Sequence, residues 1–373
     1  MRDMVAICGV LLLASGGLVA AGEVELGLAA KYPGDVGIKA DPAVLFHDNF
    51  EQGKLGGKWD WVRSPKSIFV ETDKEIVRGT QSLRSALTKG KDDDNGLWKR
   101  LTPGEEVLHM RHYVRYGDDF GYIHHGGSGF CASARRGGGF GPGGHAGKSP
   151  KGDMYFWNTL EPIGRRGRWK APGRLIFYSY WWKMKPDGRG NYWGNWFQPD
   201  PPQNPGIGKW TCVEWRVKCN TPAQPDGELC VWVNGVRCGE WKDVNWRSSA
   251  ELKVNQFSIG IYLTNDGYER SGGGTTRTQW YDDIVVARSY IGPVVKEKPK
   301  SEGAPSAGLP IEPKMSPEEQ KRTAAEKDAA RLYQMARQAE RLGQRDVATK
   351  LYQQIVEKHG QTEIAKQAEA KLR

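Results

Sequence analysis

The chain has 373 residues, with 54 Lys and Arg against 44 Asp and Glu, so its formal net charge is +10. Hydrophobic residues make up 38% and mean hydropathy is −0.64, a polar chain still able to build a core. The positive excess suits an anionic partner, and the sequence carries no nucleic-acid motif, so nucleic acid is excluded as that partner.

Residues 1–21 read as a signal peptide. Arg2, partly cancelled by Asp3, precedes an apolar run over residues 5–13, and Val19-Ala20-Ala21 fits a cleavage site. Export to the periplasm or the extracellular space is therefore expected, with no membrane span after cleavage. Residues 22–43 form a lead-in with little periodicity. From residue 44 the chain shows only short strand-like runs, at 44–50, 67–72, 107–116, 174–182, 210–219, 228–233, 254–262 and 279–287. Asn234-Gly235 between two such runs is a type I′ hairpin turn, because both residues tolerate positive φ. Many short strands without a helical period predict a mainly β chain over residues 44–292, an antiparallel jelly-roll sandwich.

One insert departs from this pattern. Residues 121–152 are dense in Gly, with Arg135, Arg136, His145 and Lys148 among them, which predicts an exposed loop, functional or disordered. Residues 293–314 read as a disordered linker. Residues 315–373 then change to helical spacing. Ser316 caps, Pro317 takes the first turn and Glu319 completes a capping box. Leu332, Met335, Ala336, Ala339 and Leu342 follow, and Gly343 stops the helix. Val347, Leu351, Tyr352 and Ile355 mark a second helix, ended by Gly360. Ile364, Ala365, Ala368 and Leu372 mark a third. Leu342-Gly343, Ala348 and Tyr352 stand as in a tetratricopeptide repeat, which this tail resembles over about one repeat. A lone repeat needs a neighbour to cover its apolar face, so the tail implies a protein partner or self-association, unless it is only a solvated amphipathic segment.

Five cysteines follow the leader: Cys131, Cys212, Cys219, Cys230 and Cys238. Cys219 and Cys230 flank a hairpin loop and are candidates for a disulfide. The other reading leaves all five as reduced small hydrophobes. Their spacing does not fit a zinc site.

Three runs carry a family resemblance. They are RLIFYSY at 174–180, the stretch 208–235 with its Trp-rich strands, Asn-Thr-Pro loop and Asn-Gly turn, and WYDDIVVA at 280–287. In this order they resemble the polysaccharide lyase family 14 type of domain, on a concanavalin A-like jelly roll, over about residues 44–289. The resemblance implies β-elimination on an acidic polysaccharide, with no cofactor required. It places Tyr178 and Tyr180 in the cleft, and the alternation of a strand puts both on one face with Trp182. Where the family has a cleft Lys, this chain has His124 and His125. On an extended segment these would face opposite ways, so one of them would enter the cleft. The family Arg on the preceding strand has no counterpart at 153–157, and loop residues Arg135, Arg136, Arg165, Arg166 or Arg168 are the candidate replacements.

The expected catalytic residues are thus Tyr178, Tyr180, His124 and His125. Arg135, Arg168, Trp182, Tyr192 and Trp196 are the expected substrate-binding set. Fifteen Trp occur, 11 of them between positions 157 and 246, and each either fills the core or stacks on a sugar ring. Hydrolysis is a poor rival because it needs two flanking carboxylates, and Glu214 has only Cys212 and Arg216 beside it on its strand face. Asp48 and Asp283, on the first and last strands, are candidates for a structural calcium ion. The alternatives to a lyase are a non-catalytic carbohydrate-binding module and an envelope scaffold acting through its helical tail.

Overall fold

Alternating burial along the strands sets the architecture. On β11 (Thr211–Lys218), Val213, Trp215 and Val217 point into the core, while Cys212, Glu214 and Arg216 point away. The computed structural model describes residues 24–296, apart from 56, 123, 136–138, 142–145, 166, 264, 271 and 273. It also describes 325–372, apart from 327, 330–331, 334–335, 338 and 341–344. The leader, most of the linker, the Ser316-Pro317 helix start, Met335, Leu342, Gly343, Arg136 and Arg166 lie outside the described residues.

Fifteen strands are described, in two antiparallel sheets. The first sheet runs β13 (Val236–Val244), β12 (Gly227–Val233), β11, β6 (Val107–Tyr116), β15 (Thr276–Ala287), β4 (Ser82–Thr88), β3 (Ile68–Glu71), with β1 (Val44–Asp48) also paired to β15. The second runs β10 (Asn195–Phe197), β9 (Arg174–Tyr180), β8 (Tyr155–Ile163), β7 (Gly126–Ser133), β14 (Val254–Tyr262), β5 (Asp94–Glu105), β2 (Trp61–Arg63). The sheets pack through one core, in which the Trp215 ring meets Phe130 and Phe177 and its Nε1 donates to Ser128 Oγ at 2.9 Å. The mainly β sandwich is as expected. Asn234 and Gly235 both take positive φ, 51° and 81°, which closes the β12–β13 hairpin between Val233 and Val236.

Three expectations need correction. The Gly-rich insert is not a loop throughout: its residues Gly126–Ser133 form β7, a buried central strand. A Cβ on Gly127 would stand 2.0 Å from the Leu160 carbonyl oxygen, so glycine here permits close strand approach. Cys219 and Cys230 do not face each other. Cys219 shares the inward parity of Trp215 and Val217, whereas Cys230 lies on the outer face, opposite Arg216 and Glu240. The five described cysteines are free, and burial pushes the thiols of Cys212, Cys219, Cys230 and Cys238 up to about 12. Thiol-reactive dye should therefore label the native chain slowly and the urea-unfolded chain completely. Reducing agent should leave the unfolding midpoint unchanged, and a drop would reveal a bridge.

The lead-in is folded, which its weak periodicity hid. Leu28, Ala29 and Ile38 pack with Val285, Ala287 and Ile291. Asp35 pairs with Arg111, a fully buried side chain on β6, whose Nη2 also donates to the Asp283 carbonyl at 3.0 Å. Glu214 closes the same outer face: it accepts from the backbone N–H of Ile291 at 2.8 Å and of Gly292 at 2.7 Å, with His109 Nδ1 at 3.1 Å. Its role is to hold the departing chain.

Residues 299–373 form a separate unit. Two helices are described there, α1 (Arg345–His359) and α2 (Glu363–Leu372), with helical residues between 325 and 340. Ala329, Leu332, Ala336 and Ala339 pack with Ala348, Tyr352, Ile355, Ala365 and Ala368. None of the described helices is long and apolar enough to cross a membrane.

Candidate active site

The second sheet carries a cleft on the face opposite the core, and residue size creates it. One register row crosses all seven strands: Trp61, Trp98, Ser258, Gly129, Thr159, Tyr178 and Trp196. Aromatic rings stand toward both ends and small residues in the middle, so the sheet dips between Trp98 and Tyr178. Six strand spacings of about 4.8 Å make this row roughly 29 Å long. The next row places Arg63, Gly96, Gly260 and Gly127 side by side, with Glu161 beyond Gly127. A Cβ on Gly260 would come within 2.3 Å of the Asn95 carbonyl oxygen, so this floor is restricted to glycine. The cleft has a volume of about 380 Å³, and Trp157, Trp193 and Tyr262 also line it.

Tyr178 and Tyr180 sit on this face as alternation requires, with their hydroxyl oxygens 3.3 Å apart. Burial and the Tyr180 hydroxyl raise the Tyr178 pKa above the ordinary phenol range. His125 also lines the cleft, and the His124 and His125 rings meet the Tyr178 ring edge to face, at centroid distances of 4.7 and 5.2 Å. The two imidazoles do not face opposite ways as expected, although of the two it is His125 that lines the cleft. His125 has a φ of +77°, so the segment is not extended there and the two imidazoles stack at 3.7 Å. The Tyr262 N–H donates to the His125 carbonyl at 2.8 Å and holds this bend.

Both rings address Glu161, a residue the sequence reading missed. Its carboxylate is fully buried, with His124 Nδ1 2.5 Å from one oxygen and His125 Nδ1 3.8 Å from the other. Burial alone would raise the Glu161 pKa, but the two histidines outweigh it and lower the value. Burial acts on His124 in the opposite sense, and Glu161 outweighs it, so the His124 pKa is raised. His125 is pushed down by burial to about 4. The signal for Glu161 was present: β8 runs on to Ile163, and Trp157, Thr159 and Glu161 alternate onto the face of Tyr178. Ending that strand at Trp157 removed Glu161 from view.

The expected substrate-binding set divides. Trp196 is exposed beside Tyr178, with the Arg165 guanidinium 5.5 Å from its ring centroid. Trp182 lies past the end of β9, under the Lys183 ammonium, and not on the cleft face, because the alternation stops at Tyr180. Arg135 and Arg168 are exposed on loops outside the cleft lining, and Tyr192 pairs its backbone with Gly147 while the adjacent Trp193 lines the cleft. Asp48 and Asp283 hold protein cations where calcium was expected. Asp48 accepts from Lys58 Nζ at 2.8 Å and Trp59 Nε1 at 2.9 Å, and Asp283 accepts from Arg78 Nε at 2.6 Å. Among the described residues, His124, His125 and Glu161 are the group whose donor atoms converge, all within 4.8 Å of one another.

No family model matches the sequence, and no curated protein matches it. Solved structures similar to it include alginate lyase vAL-1 from Chlorella virus, at 18% identity and a TM-score of 0.48, over 66% of this chain and 99% of that one. The marine PL-14 alginate lyase from Aplysia kurodai matches at 15% and 0.46, over 67% and 97%. The endo-β-1,4-glucuronan lyase from the fungus Trichoderma reesei matches at 18% and 0.39, over 65% and 95%.

Proposed function

We propose that this chain is an exported polysaccharide lyase that cleaves a 4-linked uronic-acid polymer by β-elimination. The observation that carries the reading is the meeting of Tyr178, Tyr180 and His125 in one cleft floored by small residues, with His124 packed against the Tyr178 ring. In the reaction a base takes the proton from C5. The C4–O bond breaks, its electrons leave with the glycosidic oxygen, and a C4=C5 double bond forms. One proton leaves carbon, one reaches the departing oxygen, and no water is consumed. Two hydroxyls in contact suit this balance when one of the pair is ionised: the phenolate takes the C5 proton, the neighbouring phenol gives its proton to the departing oxygen, and the pair ends with the charge it began with. The sugar carboxylate must also be neutralised as charge builds on C5. The exposed Trp193 and Trp196 supply flat apolar surfaces for successive rings.

Incubation of the full chain with alginate and with glucuronan tests the reading. Ultraviolet absorbance from the new C4=C5 double bond is expected to grow with at least one polymer. A second reading is a non-catalytic binding module. It is favoured by one fact: Arg63, the Arg lining the cleft, is already paired with Asp94. Binding without new absorbance would select that reading. Release of saturated reducing ends would instead indicate hydrolysis.

A further inference from the structure

The cluster at the cleft wall has a charge problem. Glu161 is a buried carboxylate facing the place where a polyanion is to bind. A protonated histidine beside it only cancels that charge, and the Arg63–Asp94 pair cancels itself. The cleft lining therefore offers an arriving uronate no net positive charge at the point where β-elimination needs it.

We propose that His124, His125 and Glu161 bind a divalent ion of the zinc class, and that this ion receives the sugar carboxylate. Two imidazole nitrogens and one carboxylate oxygen are a donor set for zinc or cobalt. Calcium and magnesium prefer oxygen alone. The donors already converge, all within 4.8 Å of one another. Tetrahedral ligation at about 2.1 Å from the metal would separate donor atoms by about 3.4 Å. The 2.5 Å contact of His124 with one carboxylate oxygen must open by about an ångström, and His125, 3.8 Å from the other oxygen, must swing toward the first. Both imidazoles are about one-third exposed, so they have room to rotate, whereas Glu161 is fixed in a buried strand.

The second observation is Glu161 itself. It is fully buried, and its carboxylate faces His124 and His125, the two groups that would share the ion with it. A divalent ion with neutral imidazoles would leave this wall with a net positive charge and an open coordination position toward Tyr178. The placement also explains how the cleft dispenses with the Lys and Arg that the family resemblance implied. The donor geometry argues for the site, and its role rests on the β-elimination reading above.

The test uses the full chain freed of metal, titrated calorimetrically with zinc chloride, and with cobalt chloride followed by visible absorbance. One zinc ion per chain is expected, with cobalt giving the d–d bands of a low-coordinate nitrogen–oxygen site. Glu161→Gln and His124→Ala, each checked for native circular dichroism, should weaken zinc binding at least tenfold. Absence of zinc binding by the folded chain overturns the site, as does binding that neither substitution weakens. Polyuronate cleavage at full rate in the presence of a chelator also overturns the inference, and leaves the lyase reading standing. Zinc bound at these residues without cleavage of any polyuronate upholds the site, and sinks the lyase reading with the catalytic role given to the ion.

Discussion

Tyr178→Phe lowers the rate of polyuronate cleavage by roughly 10²- to 10⁴-fold, the range expected when one positioned proton-transfer group is lost. The substitution removes only the hydroxyl. The ring keeps its edge-to-face contacts with His124 and His125 and its place opposite Thr159 on the sheet, so the fold and the cleft shape persist. The Michaelis constant should therefore change little while kcat falls. Tyr180→Phe should cost a similar factor, because the two hydroxyls lie 3.3 Å apart and are proposed to share the proton steps. Groups acting as one unit are not additive, so the double variant should be little worse than either single one. The measurement is initial velocity from the absorbance of the unsaturated product. A Tyr178→Phe chain that keeps its rate within a factor of about three would remove the phenol from the chemistry, by the same scale of effects.

Asp35→Ala is expected to destabilise the β-domain by about 3–5 kcal/mol, the usual consequence of removing one partner from a buried ion pair. Arg111 is fully buried, and Asp35 is the carboxylate that faces its guanidinium. The carbonyl oxygens of Asp283 and Gly292 would still accept from Arg111, but they carry no full charge. The loss should appear as a lower urea midpoint. A second variant, Asp35→Ala with Arg111→Met, removes the stranded charge and should recover much of the stability. A loss below about 1 kcal/mol in the single variant would mean that water reaches the guanidinium once Asp35 is gone, as it does for exposed pairs. The point matters for architecture, because this pair ties the lead-in to the outer face of the first sheet.

Much of the sandwich was legible in the chain. Val107–Tyr116, Thr211–Lys218, Val254–Tyr262 and Thr276–Ala287 all stood out, because their apolar residues alternate and turn residues bound them. The shared face of Tyr178 and Tyr180 followed from the same period of two. Strands built on glycine did not stand out. Gly126–Ser133 has almost no side chain to alternate, yet it is central to the sheet because its neighbours press close. The lead-in escaped for a related reason: its 3-10 turns show no period, and its anchors are a few residues meeting partners far along the chain, from Arg111 to Ile291.

The candidate site shows the division most sharply. Local alternation by itself determined which strand carries the tyrosines and which way they point, since a pleated strand leaves no other choice. Which acid stands beside them was decided by the register of β8 against β9 and by the left-handed turn at His125. Together these bring Glu161 under two imidazoles from a segment 36 residues earlier. Whether Asp48 or Asp283 was free to hold a cation was also decided in three dimensions, by Lys58 and Arg78 arriving from other segments. Side-chain direction follows from a residue's own backbone, so sequence determines it. The partner of a buried charge depends on which distant segments the packed sheets bring together, and only the tertiary structure decides that.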